Sequence, residues 1–243
     1  MADLGLGADV RVSPALYEKI CSFLYAYRWE ILKACQRNRR ALYQYLKQVG
    51  LKPGSRVALV DVGWSGTTQE AFEQAVRPLM DLEVFGYYFC LADTPERLRR
   101  EKTQRMSAMV TAANTSESTI ASIYANRVAV ELFFSAPHHS VIGLQFAKGK
   151  VEPVLDAGRG NTDELMVISN EICRGIMHFS EHYSELKKRL ALQASPLQIA
   201  WPLIELVMAE KGSAYKKLGR IRNFDAWGSS SNHELVLLNY LQG

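Results

Sequence analysis

Between Val57 and Gln69 the chain reads VALVDVGWSGTTQ, and its chemistry-bearing residues crowd together there. Apolar residues run into Asp61, and after Val62 come Gly63, Trp64, Ser65, Gly66, Thr67, Thr68 and Gln69. A strand ending at Asp61 or Val62 and a helix starting near Thr67 leave the first helical N–H groups without intrahelical acceptors. The aligned peptide dipoles add partial positive charge at the same place. Glycines at 63 and 66 let the backbone approach a ligand closely and take positive φ. Ser65, Thr67 and Thr68 offer hydroxyl donors, and Trp64 can either stack on a sugar or base or plug the core. Such a junction is a ready anion site, at the carboxyl edge where open α/β sheets usually bind ligands. A plain structural turn would use the same residues, so both readings stand at this point.

The order of residues narrows the chemistry. No lysine follows Gly66, so the segment is not GxxxxGK[ST], and it is not GxGxxG either; both facts argue against P-loop nucleotide hydrolysis. The apolar strand, acid, small residue and G-T-T order is closer to the phosphate loop of phosphoribosyltransferases, but Val62 stands where that pattern has its second acid. Beyond the loop, Asp93 follows a second strand-like run and would share the sheet's carboxyl edge with Asp61. His138 and His139, in SAPHHS, could act as acid or base or clamp a phosphate if their loop meets that of Asp61. Asp61, Asp93, His138 and His139 are therefore the candidate catalytic residues. Arg159, between glycines in AGRGN, is a candidate phosphate clamp. Asp225 and Trp227, in NFDAWG, pair a carboxylate with an aromatic platform suited to a carbohydrate; loops also use such residues to cap themselves. His178 and His182 are four apart on one helix, but the HExxH order and a third ligand are missing, which favours ordinary helix histidines over a metal site. No residue is assigned to a metal; magnesium is expected only as the cation that phosphate ligands commonly bring.

These residues need elements to hold them. Pro14 to Val49 has apolar positions at helical intervals, and Gly50, Pro53 and Gly54 break it. Val57–Val62 fits a buried parallel strand, 67–79 a helix, and Leu82–Ala92 a second strand. Thr94 with Pro95 starts a helix expected to run to about Arg105, and 119–134 suggests another. The basic run within ERLRREKTQR alternates with Glu96 and Glu101 and reads as a solvated helix face. Residues 140–155 read as a hairpin around Lys148-Gly149-Lys150. Asn161 or Thr162 caps a helix to about Gln193, and Ser195-Pro196 another to Lys211. The expected fold is α/β: a three-layer Rossmann-like core with a mostly parallel sheet, a helical N-terminal segment and a helical C-terminal half. The expectation is one domain over 1–243, with the α/β core in 14–160 and a mainly helical extension in 161–243.

Composition sets the outer bounds. The 243 residues are 48% hydrophobic and 22% charged with a net charge of +4, ordinary for a globular chain and no case for nucleic acid as a partner. The four cysteines form no CxxC pair and read as free thiols of a reducing cytoplasm. MADLGLGADVRV lacks the pattern of a signal peptide, and no apolar run approaches the ~18 residues of a membrane span. A cytoplasmic location is the expectation.

Three stretches carry a resemblance: RNRRALYQYLKQVGLKPGSRVALVDVGWSGTTQ (37–69), ELFFSAPHHSVIG (131–143) and LGRIRNFDAWG (218–228). Together they resemble the C-terminal module of haloacid-dehalogenase-type hydrolases associated with bacterial surface polysaccharide biosynthesis, which carry VDxGWxGTxQ downstream of the hydrolase domain. The DxDxT nucleophile motif of that domain is missing, so the resemblance carries over the polysaccharide context but not a phosphatase activity. The leading expectation is a domain that handles a sugar phosphate or nucleotide sugar, with phosphate held by 63–68. The alternatives are a phosphoribosyltransferase-like enzyme and a non-enzymatic interaction module partnering a phosphatase or glycosyltransferase.

Overall fold

The computed structural model describes residues 13–156, 163–208, 221–225 and 233–236. The chain divides into two compact units: Lys52–Ser140 with Asp156–Trp227 and Asn232–Gly243 form one, and Met1–Leu51 with Val141–Leu155 and Gly228–Ser231 form the other. The fold is mixed α/β with a parallel three-stranded sheet.

In the smaller unit, Pro14–Leu16 forms a single 3₁₀ turn, followed by α1 (Tyr17–Ala26) and α2 (Arg28–Gln48), with the break at Tyr27. Strands β4 (Ser140–Ala147) and β5 (Lys150–Asp156) meet across Lys148 and Gly149, which have φ of 49° and 78°. Two consecutive positive φ values are what a tight primed hairpin turn requires, so the hairpin expected from Lys-Gly-Lys is present. Gln48 ties this unit together with a pair of hydrogen bonds to the backbone N–H and carbonyl of Val151, at 2.8 and 3.1 Å.

The larger unit is built on β1 (Ser55–Asp61), β2 (Leu82–Cys90) and β3 (Arg105–Val110), parallel and in the order β1-β2-β3. Helix α3 (Thr67–Val76) links the first two strands and α4 (Pro95–Glu101) the last two. Thr94 caps α4 by accepting from the Arg97 N–H. That helix ends at Glu101 rather than near Arg105, because residues 105–110 enter the sheet as β3. The basic run is likewise less solvated than its charge suggests. Arg100 is buried, and Arg97 bridges Asp93 and Glu101.

Helices α5 (Glu117–Ala125) and α6 (Arg127–Leu132) replace the single expected helix, with Asn126 at the break. Helix α7 (Asp163–Leu190) is long, and α8 (Pro196–Met208) starts with a reciprocal cap in which Ser195 and Gln198 each bond the other's backbone N–H. Strands β6 (Arg222–Asp225) and β7 (His233–Val236) form a separate antiparallel ribbon. The core gathers Cys90, Val110, Ile123, Val130, Leu132 and Ile204, all essentially inaccessible, at the carboxyl end of the parallel strands. Among the described residues no helix is long and apolar enough to cross a membrane.

Candidate functional site: the carboxyl edge of the parallel sheet

The loop after β1 is held by the strand beside it. The Cys90 N–H donates to the Val62 carbonyl at 3.1 Å, and the Ala92 N–H to the Trp64 carbonyl at 2.8 Å. Residues 62–64 thus continue to pair with the segment after β2, which brings Asp93 to the same edge as the loop. Gly63 has φ of 153°, and the Gly63–Trp64 peptide bond is cis. A Cβ on Gly63 would run into the Cys90 carbonyl oxygen, so the contact demands glycine. Gly66 has φ of 75° and is the N-cap of α3; a Cβ there would come within 2.5 Å of the Met106 side chain.

The start of α3 is open. No side chain caps it, and the Thr67 and Thr68 side chains are exposed beside it. Ser65 is half-buried, and its carbonyl accepts from Arg100 Nη1 at 3.1 Å. Arg100 Nε donates to Glu70 at 2.6 Å, and Arg99 donates to both oxygens of the same carboxylate. Hydrogen bonds from Arg100, then from Arg99, hold the Glu70 carboxyl below its ordinary range. The junction therefore combines an uncapped helix N-terminus, two free-standing threonine side chains and an arginine pair partly neutralised by one acid.

Asp61 is half-buried and in register with Tyr88. Tyr88 faces α3, where its hydroxyl donates to Gln69 Oε1 at 2.7 Å. Burial, then the charges of Asp61 and Glu73, push the Tyr88 phenol up to about 12. Gln69 is fully buried; its Nε2 donates to Glu73 at 2.8 Å and to the Arg105 carbonyl at 3.4 Å. It pins α3 across β2 and β3, with Gly86 leaving room for its side chain. Trp64 also points inward: Nε1 donates to Glu131 at 2.8 Å, and the indole meets Tyr124 edge-on at 5.6 Å.

The other candidates separate into groups. Asp93 is exposed, pairs with Arg97 at 3.1 Å and joins Ser107 and Thr111 around a hollow of about 440 Å³. His138 is exposed and His139 half-buried, with His138 Nδ1 2.8 Å from the His139 carbonyl oxygen. An apolar hollow of about 460 Å³ next to Asp61 is walled by Val60, Tyr87, Phe89 and Phe134 rather than by the histidines. Asp225 lies in β6, and Arg159 and Trp227 lie outside the described residues. The rings of His178 and His182 lie tilted to each other with centroids 4.7 Å apart, on the exposed part of α7. Among the described residues no group of three or more His, Cys, Asp or Glu side chains could hold a metal ion.

Sequence reasoning missed Arg100, Glu131 and Tyr88. Arg100 sat inside a run that read as a solvated face, and its i,i+4 pattern gives no sign of the long-range Glu70 contact. Glu131 sat 67 residues from Trp64, and no local signal joins them. The chain matches no protein-family model and no curated protein.

Proposed function

We propose that this chain binds a phosphorylated sugar or nucleotide sugar in bacterial cell-surface polysaccharide biosynthesis, with the phosphate seated on the amino end of α3. The single observation that carries this reading is the uncapped start of that helix, at a left-handed Gly66, with the Thr67 and Thr68 side chains exposed beside it. The three parallel strands are, on this reading, the centre of a three-layer Rossmann-like core. Backbone amides of 66–68 and the hydroxyls of Ser65, Thr67 and Thr68 hold phosphate. Asp61 and Asp93 contact sugar hydroxyls, and His138 or His139 moves the proton. Arg159 clamps the phosphate, Asp225 and Trp227 complete the sugar side, and magnesium arrives with the phosphate. The chemistry is transfer or hydrolysis at the phosphorylated sugar, in a module resembling the C-terminal part of the haloacid-dehalogenase-type hydrolases but without their nucleophile.

A second reading has its own observation. Trp64 and Gln69, two of the loop's most distinctive side chains, are engaged inside the protein. That favours a loop kept for structure, in a non-enzymatic module that docks a phosphatase or glycosyltransferase. The phosphoribosyltransferase-like reading has no such support, because Val62 occupies the place of its second acid.

Isothermal titration of the full chain with hexose 1-phosphates, nucleoside-diphosphate sugars and phosphoribosyl pyrophosphate, with and without magnesium, distinguishes the three. Saturable binding of a sugar phosphate or nucleotide sugar is the expected result. Tightest binding of phosphoribosyl pyrophosphate would move the assignment to that class, and no binding by any member would leave the docking module.

A further inference from the structure

Along α7 one row of positions advances in steps of alternately four and three residues: Leu165, Ser169, Ile172, then Ile176, Phe179, Tyr183, Leu186 and Leu190. That 3.5-residue period is the spacing of a coiled-coil seam. Its first part is filled by the fold: Leu165 belongs to the core, Ser169 is fully buried and Ile172 packs against that core. From Ile176 onwards the same seam is open, with Phe179 63% and Leu190 61% exposed. A helical stretch of this length without tertiary cover is marginal in water, since most helix stability comes from packing an apolar face.

The flanks say what kind of helix would cover it. Ser180, His182, Lys187 and Arg189 border the open seam, and no carboxylate does; Glu181 and Glu185 fall on the far side of the helix. The helix dipole favours basic residues in the last turn, but it does not explain why the acids are kept off the seam's borders. A second copy of this chain would set two basic borders against each other.

We propose that the seam from Ile176 to Leu190 docks an amphipathic helix of another protein whose borders are acidic, as a short heteromeric coiled coil. This docking is independent of the phosphate site. The full chain is titrated into a fluorescent designed peptide of about three heptads, with Leu and Ile on its seam and Glu on its borders, and into a twin with Lys on its borders. Fluorescence anisotropy should show micromolar binding of the acidic peptide, weakening with salt, and binding of the Lys twin weaker by about tenfold or more. Phe179→Asp and Leu186→Asp should each lose about tenfold or more, with thermal unfolding unchanged because both side chains are exposed. Met177→Asp, exposed but off the seam, should bind like the parent. Absent or equal binding of the two peptides, or binding indifferent to Phe179→Asp, would overturn the proposal. So would a dimer of the chain in sedimentation, or adsorption to lipid vesicles, that Phe179→Asp abolishes.

Discussion

The indole nitrogen of Trp64 donates a 2.8 Å hydrogen bond to the carboxylate of Glu131, tying the loop after β1 to α6. The indole packs against the core cluster, so the bond closes the inner side of the loop and leaves its outer side to the start of α3. Trp64→Phe keeps most of the apolar contact but strips the half-buried carboxylate of its donor. A loss of about 1–3 kcal/mol in urea unfolding is expected. Glu131→Gln keeps an acceptor oxygen there and should cost less.

Of the glycines with positive φ, Gly63 should be the least replaceable. At Gly63 a Cβ meets the Cys90 carbonyl oxygen, and at Gly66 it meets the Met106 side chain. Gly63→Ala should destabilise by about 1–3 kcal/mol, and Gly66→Ala by less, because the atom met there is the movable end of the Met106 side chain. At Gly50, with φ of 87°, nothing lies within 4 Å of a Cβ. Gly50→Ala should therefore show the smaller cost of the backbone conformation alone, measured in the same denaturation series.

Tyr88 should make the fold alkali-sensitive. Its phenol, ordinarily near 10, is pushed up to about 12, chiefly by burial, and its neutral hydroxyl donates to Gln69. A raised value means that the fold prefers the protonated form. The stabilisation is whole below the ordinary value and is lost as pH rises through the folded one. Unfolding midpoints should fall between those two pH values. In Tyr88→Phe that fall should shrink, at the cost of a lower midpoint at neutral pH because the buried Gln69 Oε1 loses its donor.

Glu70 should act at the other end of the scale. Arg100 and Arg99 hold its carboxyl below the ordinary value of 4.5, so the fold prefers the charged form. The contribution is present above that value and is lost as pH falls through the lower, folded one. Glu70→Gln should flatten the acid limb of the stability profile, followed by circular dichroism.

Much of the loop's framework was legible from local chemistry. VALVD with a following glycine-rich turn announced a strand and a helix start, Thr94-Pro95 announced a cap, and Lys148-Gly149 announced a hairpin. What stayed hidden was set by distant partners. Arg105–Val110 pairs with β2 as a strand although its start continues a charged helical run. Gln69 closes the polar loop motif, yet Tyr88 and Glu73 draw its amide into the interior. The division at Leu51 has no sequence mark beyond Gly50, Pro53 and Gly54, which read equally well as an ordinary turn.

The amino end of α3 as an anion seat is tested most directly by titrating ¹⁵N-labelled protein with inorganic phosphate and following the amide resonances. Saturable shifts at Gly66, Thr67 and Thr68 are predicted, and they should vanish in Thr68→Glu. That variant's carboxylate favours the helix N-terminus and so leaves the fold intact while repelling the anion. Shifts that never saturate at those three amides, or that centre on another part of the chain, would contradict it.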